Sequence, residues 1–200
     1  AIKAVQNLDL QISSGQVYGI LGPNGSGKTT TLGMILGIIN PSSGKFQWFD
    51  NSPLKNALYK IGSIIELPTF YPYLTAVQNL KIITRIKGKG KDNIFPTLEK
   101  VGLAERRNSS FKTYSLGMKQ RLALAAALVT EPEVLVLDEP TNGMDPQGIA
   151  DIRNLIIEVA SGGTTIFLAS HLLDEVQKIC SHVAVLEKGK KIFDGPVDQI

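Results

Sequence analysis

Residues 22–29 read Gly-Pro-Asn-Gly-Ser-Gly-Lys-Thr, and no other stretch restricts the fold of this chain so strongly. The spacing of glycine, four residues, then Gly-Lys-Thr is that of a loop that wraps phosphate. Its glycines let the backbone come close to phosphate oxygens and turn N–H groups toward them. Lys28 is placed to reach the β- and γ-phosphates, and Thr29 to offer a hydroxyl to Mg²⁺. The flanks fit as well. Val17–Leu21 is a short apolar run with strand character, and Thr29–Leu36 has helical character. The loop should therefore open a helix, whose first N–H groups attract anions. On this basis Gly22, Pro23, Asn24, Gly25, Ser26, Gly27, Lys28, Thr29 and Thr30 are the expected nucleotide contacts.

Strand-like runs recur between helical patterns along the chain. Val17–Leu21, Ile61–Ile65, Val134–Asp138, Thr164–Ala169 and His182–Leu186 read as strands, and 28–37, 115–130, 147–160 and 172–180 as helices. This alternation predicts an α/β fold with a mainly parallel sheet covered on both faces. Leu8–Ile12 alternates apolar and polar residues, as does Lys45–Phe49 less cleanly. Both read as half-exposed antiparallel strands, joined by the Ser13-Ser14-Gly15 and Pro41-Ser42-Ser43-Gly44 turns. From about Leu67 to Ser110 strand signals cease and Pro68, Pro72 and Pro96 interrupt short helical pieces. That segment is expected to be a helical lobe inserted between two strands of the sheet. Trp48 reads as packing material.

Two hundred residues with no linker or repeat suit one domain with a proper core. A net charge of +3, with scattered basic residues, gives no case for nucleic-acid binding. The densest basic run, Lys87-Gly88-Lys89-Gly90-Lys91, reads as a solvated loop. Cys180 is the only cysteine, so no disulfide forms within the chain, and it reads as a small buried apolar residue. No apolar stretch approaches the about 18 residues that read as a membrane span. The chain begins at Ala1, close to a strand, and is expected to be an excerpt lacking both natural ends.

A second chemical signal lies far downstream. Val134-Leu135-Val136-Leu137-Asp138-Glu139 is an apolar run that ends in two carboxylates. A carboxylate at the C-terminal end of a core strand can meet the Mg²⁺ of a nucleotide held by the loop, which suits Asp138. Glu139 points elsewhere and could polarise an attacking water. Between these signals, Ser115 in Tyr114-Ser115-Leu116-Gly117-Met118-Lys119-Gln120-Arg121 is a good helix N-cap with free N–H groups beyond it.

Taken together, these segments resemble the ATP-binding subunit of an ABC transporter, in order and over essentially the whole chain. The family's usual Leu-Ser-Gly-Gly-Gln signature corresponds to Tyr114–Met118, with Ser115 and Gly117 matching and the other three positions departing. Asn142-Gly143-Met144-Asp145 resembles the loop that touches the opposite subunit, and Ala169-Ser170-His171 the switch histidine after the next strand. His182 has no such match and reads as structural. Glu66 stands where the family usually has glutamine; with Leu67–Thr75 it resembles the bacitracin-resistance and lantibiotic-immunity exporters.

The resemblance implies an ABC-type P-loop ATPase with an antiparallel β part, its core at 1–66 and 111–200 and the helical lobe at 67–110. It implies ATP and Mg²⁺ as cofactors, Thr29, Asp138 and Glu66 toward the metal, and Lys28, Glu139 and His171 in hydrolysis. Ser115, Gly117 and Asp145 would meet the nucleotide of a second ATPase domain, head to tail in a homodimer. It further implies a multi-span membrane permease as partner, a peripheral place on the cytoplasmic face of the plasma membrane, and export of an antimicrobial peptide or similar amphiphile. No aromatic residue precedes Tyr18, so the residue that stacks on adenine in the family is expected upstream of Ala1. Three other readings compete: an ABC-type ATPase acting in translation or on nucleic acid, a small kinase using the same loop, and a module that binds ATP without turning it over. The distance from Lys28 to Ser115 leaves no room for the long coiled coil of the DNA-acting relatives, and the Asp138-Glu139 pair argues against a silent module.

Overall fold

The computed structural model describes residues 3–49, 52–66 and 69–200. Leu67 and Pro68, the first residues of the expected lobe, lie outside the described residues, as does Ala1. Six strands form one sheet in the order β2-β3-β4-β1-β5-β6. They are β1 (Val17–Leu21), β2 (Ile61–Ile64), β3 (Val134–Asp138), β4 (Thr165–Ser170), β5 (His182–Glu187) and β6 (Lys190–Pro196). Every pairing is parallel except β5 with β6. β3 is buried along its whole length, as an unbroken apolar run in a two-faced parallel sheet should be.

Alternate side chains divide the core in two. Tyr18, Ile20, Val134, Val136, Phe167 and Ala169 pack on one face with Leu32 and Leu36 from α1 (Lys28–Ile35) and its C-cap, and with Ala57 of α2 (Leu54–Tyr59). Leu135, Leu137, Ile166, Leu168 and Val183 pack on the other. That face is covered by α5 (Leu116–Leu128), α6 (Pro146–Ser161) and α7 (Leu173–Ile179). The lobe helices α3 (Ala76–Lys87) and α4 (Ile94–Lys100) join this second core through Leu80, Ile94 and Leu98. Thr75 and Gln78 form a reciprocal capping box at the start of α3, satisfying two otherwise orphaned backbone donors. Pro96 does not break α4. It sits in the first turn, where no intrahelical bond needs its missing N–H.

Three features differ from the sequence expectation. Leu8–Ile12 and Lys45–Phe49 form no strand; the antiparallel pair lies at the opposite end of the chain, in β5 and β6. The alternation in Leu8–Ile12 is nonetheless real in burial. Leu8, Leu10 and Ile12 pack against the α1-side core while Asp9 and Gln11 are exposed. Side-chain periodicity thus reports which face is covered and does not require a ladder partner. Second, α2 and β6 carry weak periodicity and were not expected. β6 is announced by Lys188-Gly189, both at positive φ (49° and 79°), a two-residue hairpin turn. Third, Lys87 is half-buried, while Gly88, Lys89 and Lys91 of the same run are exposed as expected. Its ammonium donates to Leu58 O and to Ile61 O (3.1 Å), tying the end of α3 to the edge strand β2. Burial, with Lys89 nearby, lowers its pKa. Trp48 packs as expected and also donates from Nε1 to Ile35 O (2.8 Å), capping α1.

Gly62 shows how closely α5 lies on the sheet. A Cβ at this position would stand 2.1 Å from Ala127 O, a backbone atom. Gly62→Ala must push α5 outward and should lower unfolding stability by about 1–3 kcal/mol, read as a lower urea midpoint with an unchanged slope.

Candidate functional site

The parallel order β3-β4-β1 brings three C-terminal strand ends side by side, with Asp138 opposite Ala169 and Leu21 opposite Ser170. The phosphate-type loop follows β1, Glu139 follows β3 and His171 follows β4. One sheet edge therefore collects residues more than a hundred positions apart, as expected for ligand sites of open α/β sheets.

The loop is shaped by its glycines. A Cβ at Gly22 would meet Leu186 O at 2.4 Å and Ser26 Oγ at 2.6 Å. Gly27 caps α1 at φ 105°, a left-handed conformation that L side chains avoid. Lys28 is 5% exposed and its ammonium donates to Gly22 O (2.7 Å) and Pro23 O (3.3 Å). It also lies 3.4 Å from Glu139 Oε1. The other oxygen of Glu139, Oε2, is 2.9 Å from His171 Nδ1. Thr29 Oγ1 donates to Asp138 Oδ2 at 2.7 Å. Asn24, Gly25, Gly27, Lys28, Thr29, Thr30 and Glu139 line one open cleft together with Ala4. Ala4 was not foreseen; an alanine gives no chemical signal, and only the fold returns this segment to the loop.

Glu139 is held at φ 46°, unusual for a residue with a side chain. Its N–H donates to Ala169 O (2.9 Å) and its carbonyl accepts from Asn142 N (3.1 Å), fixing the strained residue on both sides. Asp138 has a raised pKa. Burial is the largest cause; Glu139 and Glu66 add repulsion, while Thr29 and Lys28 oppose the rise. Glu66, at φ 56°, thus acts electrostatically on the same carboxylate.

The geometry fits a Mg²⁺ ion. Asp138 Oδ1 is buried without a hydrogen-bond partner, next to the carboxylate oxygen that takes the Thr29 hydroxyl. Hydroxyl and carboxylate are the hard oxygen donors that Mg²⁺ prefers. Among the described residues no three His, Cys, Asp or Glu groups could hold a metal by themselves.

Ser115, Gly117 and Asp145 are not brought to this cleft. Among the described residues no hydrogen bond or ion pair joins them to the loop. Ser115 caps α5, its Oγ accepting from Met118 N (3.3 Å), and Asp145 caps α6, its Oδ1 accepting from Gly148 N (2.9 Å). The two caps adjoin, since a Cβ at Gly117 would meet Met144 Cε at 3.5 Å. His182 lies away from the cleft, beside Ser181. Cys180 is buried and its thiol pKa is pushed up to about 12 by burial.

A glycine-rich loop on a helix N-terminus, with a buried lysine and strand-end carboxylates at one edge of a parallel sheet, defines a P-loop nucleotide-binding α/β protein. Comparison with known proteins narrows the class. Residues 5–142 match the ABC transporter family, and the chain belongs to it. It is 45% identical over 203 residues to the bacitracin transport ATP-binding protein BcrA of Bacillus licheniformis, covering 99% of this chain and 66% of that protein. It is 40% identical over 194 residues to the lantibiotic transport ATP-binding protein SrtF of Streptococcus pyogenes, covering 97% of this chain and 85% of that protein. The chain thus spans just under two thirds of the length of BcrA. Among solved structures, CbiO1 of Clostridium perfringens, part of an ABC transporter complex, matches with a TM-score of 0.85 at 32% identity (98% of this chain, 83% of that one). A dimeric ATP-binding cassette in a post-hydrolysis state, bound to ADP and Pi, matches at 0.88 and 25% identity (97% and 90%).

The pKa shift of Asp138 carries a sign. A carboxyl whose folded pKa is raised stabilises the fold while protonated, and this contribution is lost as pH rises through the folded value. The ionised form of Asp138 is therefore the less favourable one for the ligand-free fold. Asp138→Asn is expected to melt no lower than the unaltered protein without ligand, and to lose the extra stabilisation by Mg²⁺-ADP over ADP alone. Thermal melts with and without Mg²⁺ would check both halves.

Proposed function

We propose that this chain is the ATP-binding and ATP-hydrolysing part of a transporter subunit that exports an antimicrobial peptide or similar amphiphile. The observation that carries the hydrolytic part is Glu139, with one oxygen beside Lys28 and the other on His171. The cargo class rests on the likeness to BcrA and SrtF, named for bacitracin and lantibiotic transport.

In this reading the N–H groups of Gly22–Thr30 and the Lys28 ammonium bind the phosphates, as a helix N-terminus with a buried cation favours. Thr29 and Asp138 would hold Mg²⁺, with Glu66 facing the same ion. Bound there, the ion offsets phosphate charge. Phosphates compete for Lys28 and so release Glu139 from it. Glu139 then accepts a proton from water as the water oxygen bonds to the γ-phosphorus and the bond to the bridging oxygen breaks. His171, 37% exposed against 19% for Glu139, keeps the carboxylate oriented from the solvent side and reaches the γ-phosphate. A second copy of this ATPase domain, head to tail in a homodimer, supplies Ser115, Gly117 and Asp145 to the site; the 67–110 lobe, inserted in the 1–66 and 111–200 core, carries the motion to a multi-span permease. The described residues include no helix long and apolar enough to cross a membrane. We place the subunit peripherally, on the cytoplasmic face, through its permease partner.

Phosphate release from MgATP is the direct test. Glu139→Gln should keep nucleotide binding and cut turnover by roughly 10²–10⁴-fold, the usual worth of a positioned general base. Equal rates would remove Glu139 from the mechanism. In cells carrying the cognate permease, the same substitution should abolish protection against the exported peptide; unchanged protection would sink the transport reading.

A further inference from the structure

The geometry points to Gly189, in the β5–β6 hairpin turn, as a positioning residue for the phosphate loop. It lies outside the residues matched to the family and outside every motif of the sequence reading. The inference rests on the nucleotide-binding function proposed above.

Gly189 N–H donates to Ser26 O at 3.0 Å. The Ser26 carbonyl and the Gly27 N–H belong to one peptide unit. In a planar trans peptide these two groups point in opposite directions. Pinning the carbonyl to the hairpin therefore turns the Gly27 N–H away from the hairpin and toward the cleft that Gly27 lines. Without that bond the peptide is free to flip, and a flip would aim a carbonyl oxygen at the phosphates in place of a donor. One hydrogen bond from outside the loop thus sets the polarity of a phosphate contact.

The strut is itself braced. Gln6 N donates to Gly189 O (2.7 Å) and Gln6 Nε2 to Lys188 O (3.3 Å), so the early chain holds the turn from behind. Both glycines press on the same backbone atom. A Cβ at Gly27 or at Gly189 would stand 2.6 Å from Ala4 O. Gly189 is also at φ 79°, so a side chain there is strained and displaced at once. Two segments far apart in sequence, 4–6 and 188–189, thus meet each other and residues 26–27 of the phosphate loop.

The test measures the ADP affinity of the full-length protein by titration, well below the melting temperature. Two variants are used: Gly189→Ala, and replacement of the Gly189 amide by an ester, which deletes the N–H and adds no atom to the turn. Both should weaken ADP roughly tenfold or more, the scale of a bond made to a charged group. ATPase KM should rise with them while kcat changes less. A merely structural role would lower Tm and leave ADP affinity where it was. If Gly189→Ala fails to fold, the ester variant decides. Wild-type ADP affinity in the ester variant would overturn the strut while leaving the ATPase reading intact. Failure of the unaltered protein to bind ADP would overturn both.

Discussion

The Lys28 ammonium is the charge around which the site is organised. It is almost wholly buried at the start of α1, where a helix N-terminus already favours anions. A buried cation is costly unless its protons are taken. Here Gly22 O and Pro23 O curl back over it, and Glu139 lies within ion-pair distance. The loop's closed shape and the position of Glu139 thus follow from one requirement, that Lys28 not stand alone. Phosphate oxygens would meet the same requirement better, and this gives a nucleotide its purchase on the site.

The sheet makes such a meeting affordable in backbone terms. Parallel pairing sets the ends of β3, β4 and β1 at one edge, so the loop, both carboxylates and His171 are delivered by rigid strands. At the site, strained residues stand just beyond strand ends, Glu139 after β3 and Glu66 after β2. Glu139 and Glu66 sit at positive φ, as do Gly25 and Gly27. For the glycines this is nearly free, whereas for the glutamates it costs on the order of 1–3 kcal/mol each and persists only where neighbours over-determine it. At Glu139 the bonds to Ala169 and Asn142 do so.

Much of this was legible in the sequence because the parts that matter are local patterns. The loop announces itself by glycine spacing, β3 by an apolar run ending in acid, and α5 by Ser115 at its cap. Other features were not legible, for physical reasons. Leu8–Ile12 alternates like a strand, yet its apolar residues only cover the α1-side core, since period-two burial needs a neighbour below and not beside. Lys87 reads as one more basic residue in a glycine-lysine run, and only tertiary contact shows it donating to Leu58 and Ile61. Ala4 and Gly189 carry no chemistry of their own and matter through where their backbones lie.

Under the proposed function, the division of the core also explains why one chain makes half a site. α1 packs on one face of the sheet and α5 on the other. Ser115 Oγ is already bonded to Met118 N, which satisfies the N3 donor of α5. The donors of Leu116 and Gly117 have no intrahelical carbonyl to meet. Leu116 is 43% exposed and Ser115 is exposed, so this helix start faces outward and not toward its own phosphate loop. Asp145 caps α6 beside it, and Met144 fills the space between. In that reading the nucleotide that meets these outward donors is bound to another body. A second copy in a head-to-tail arrangement supplies one, because the same two half-sites then meet twice about a two-fold axis and both are completed at once.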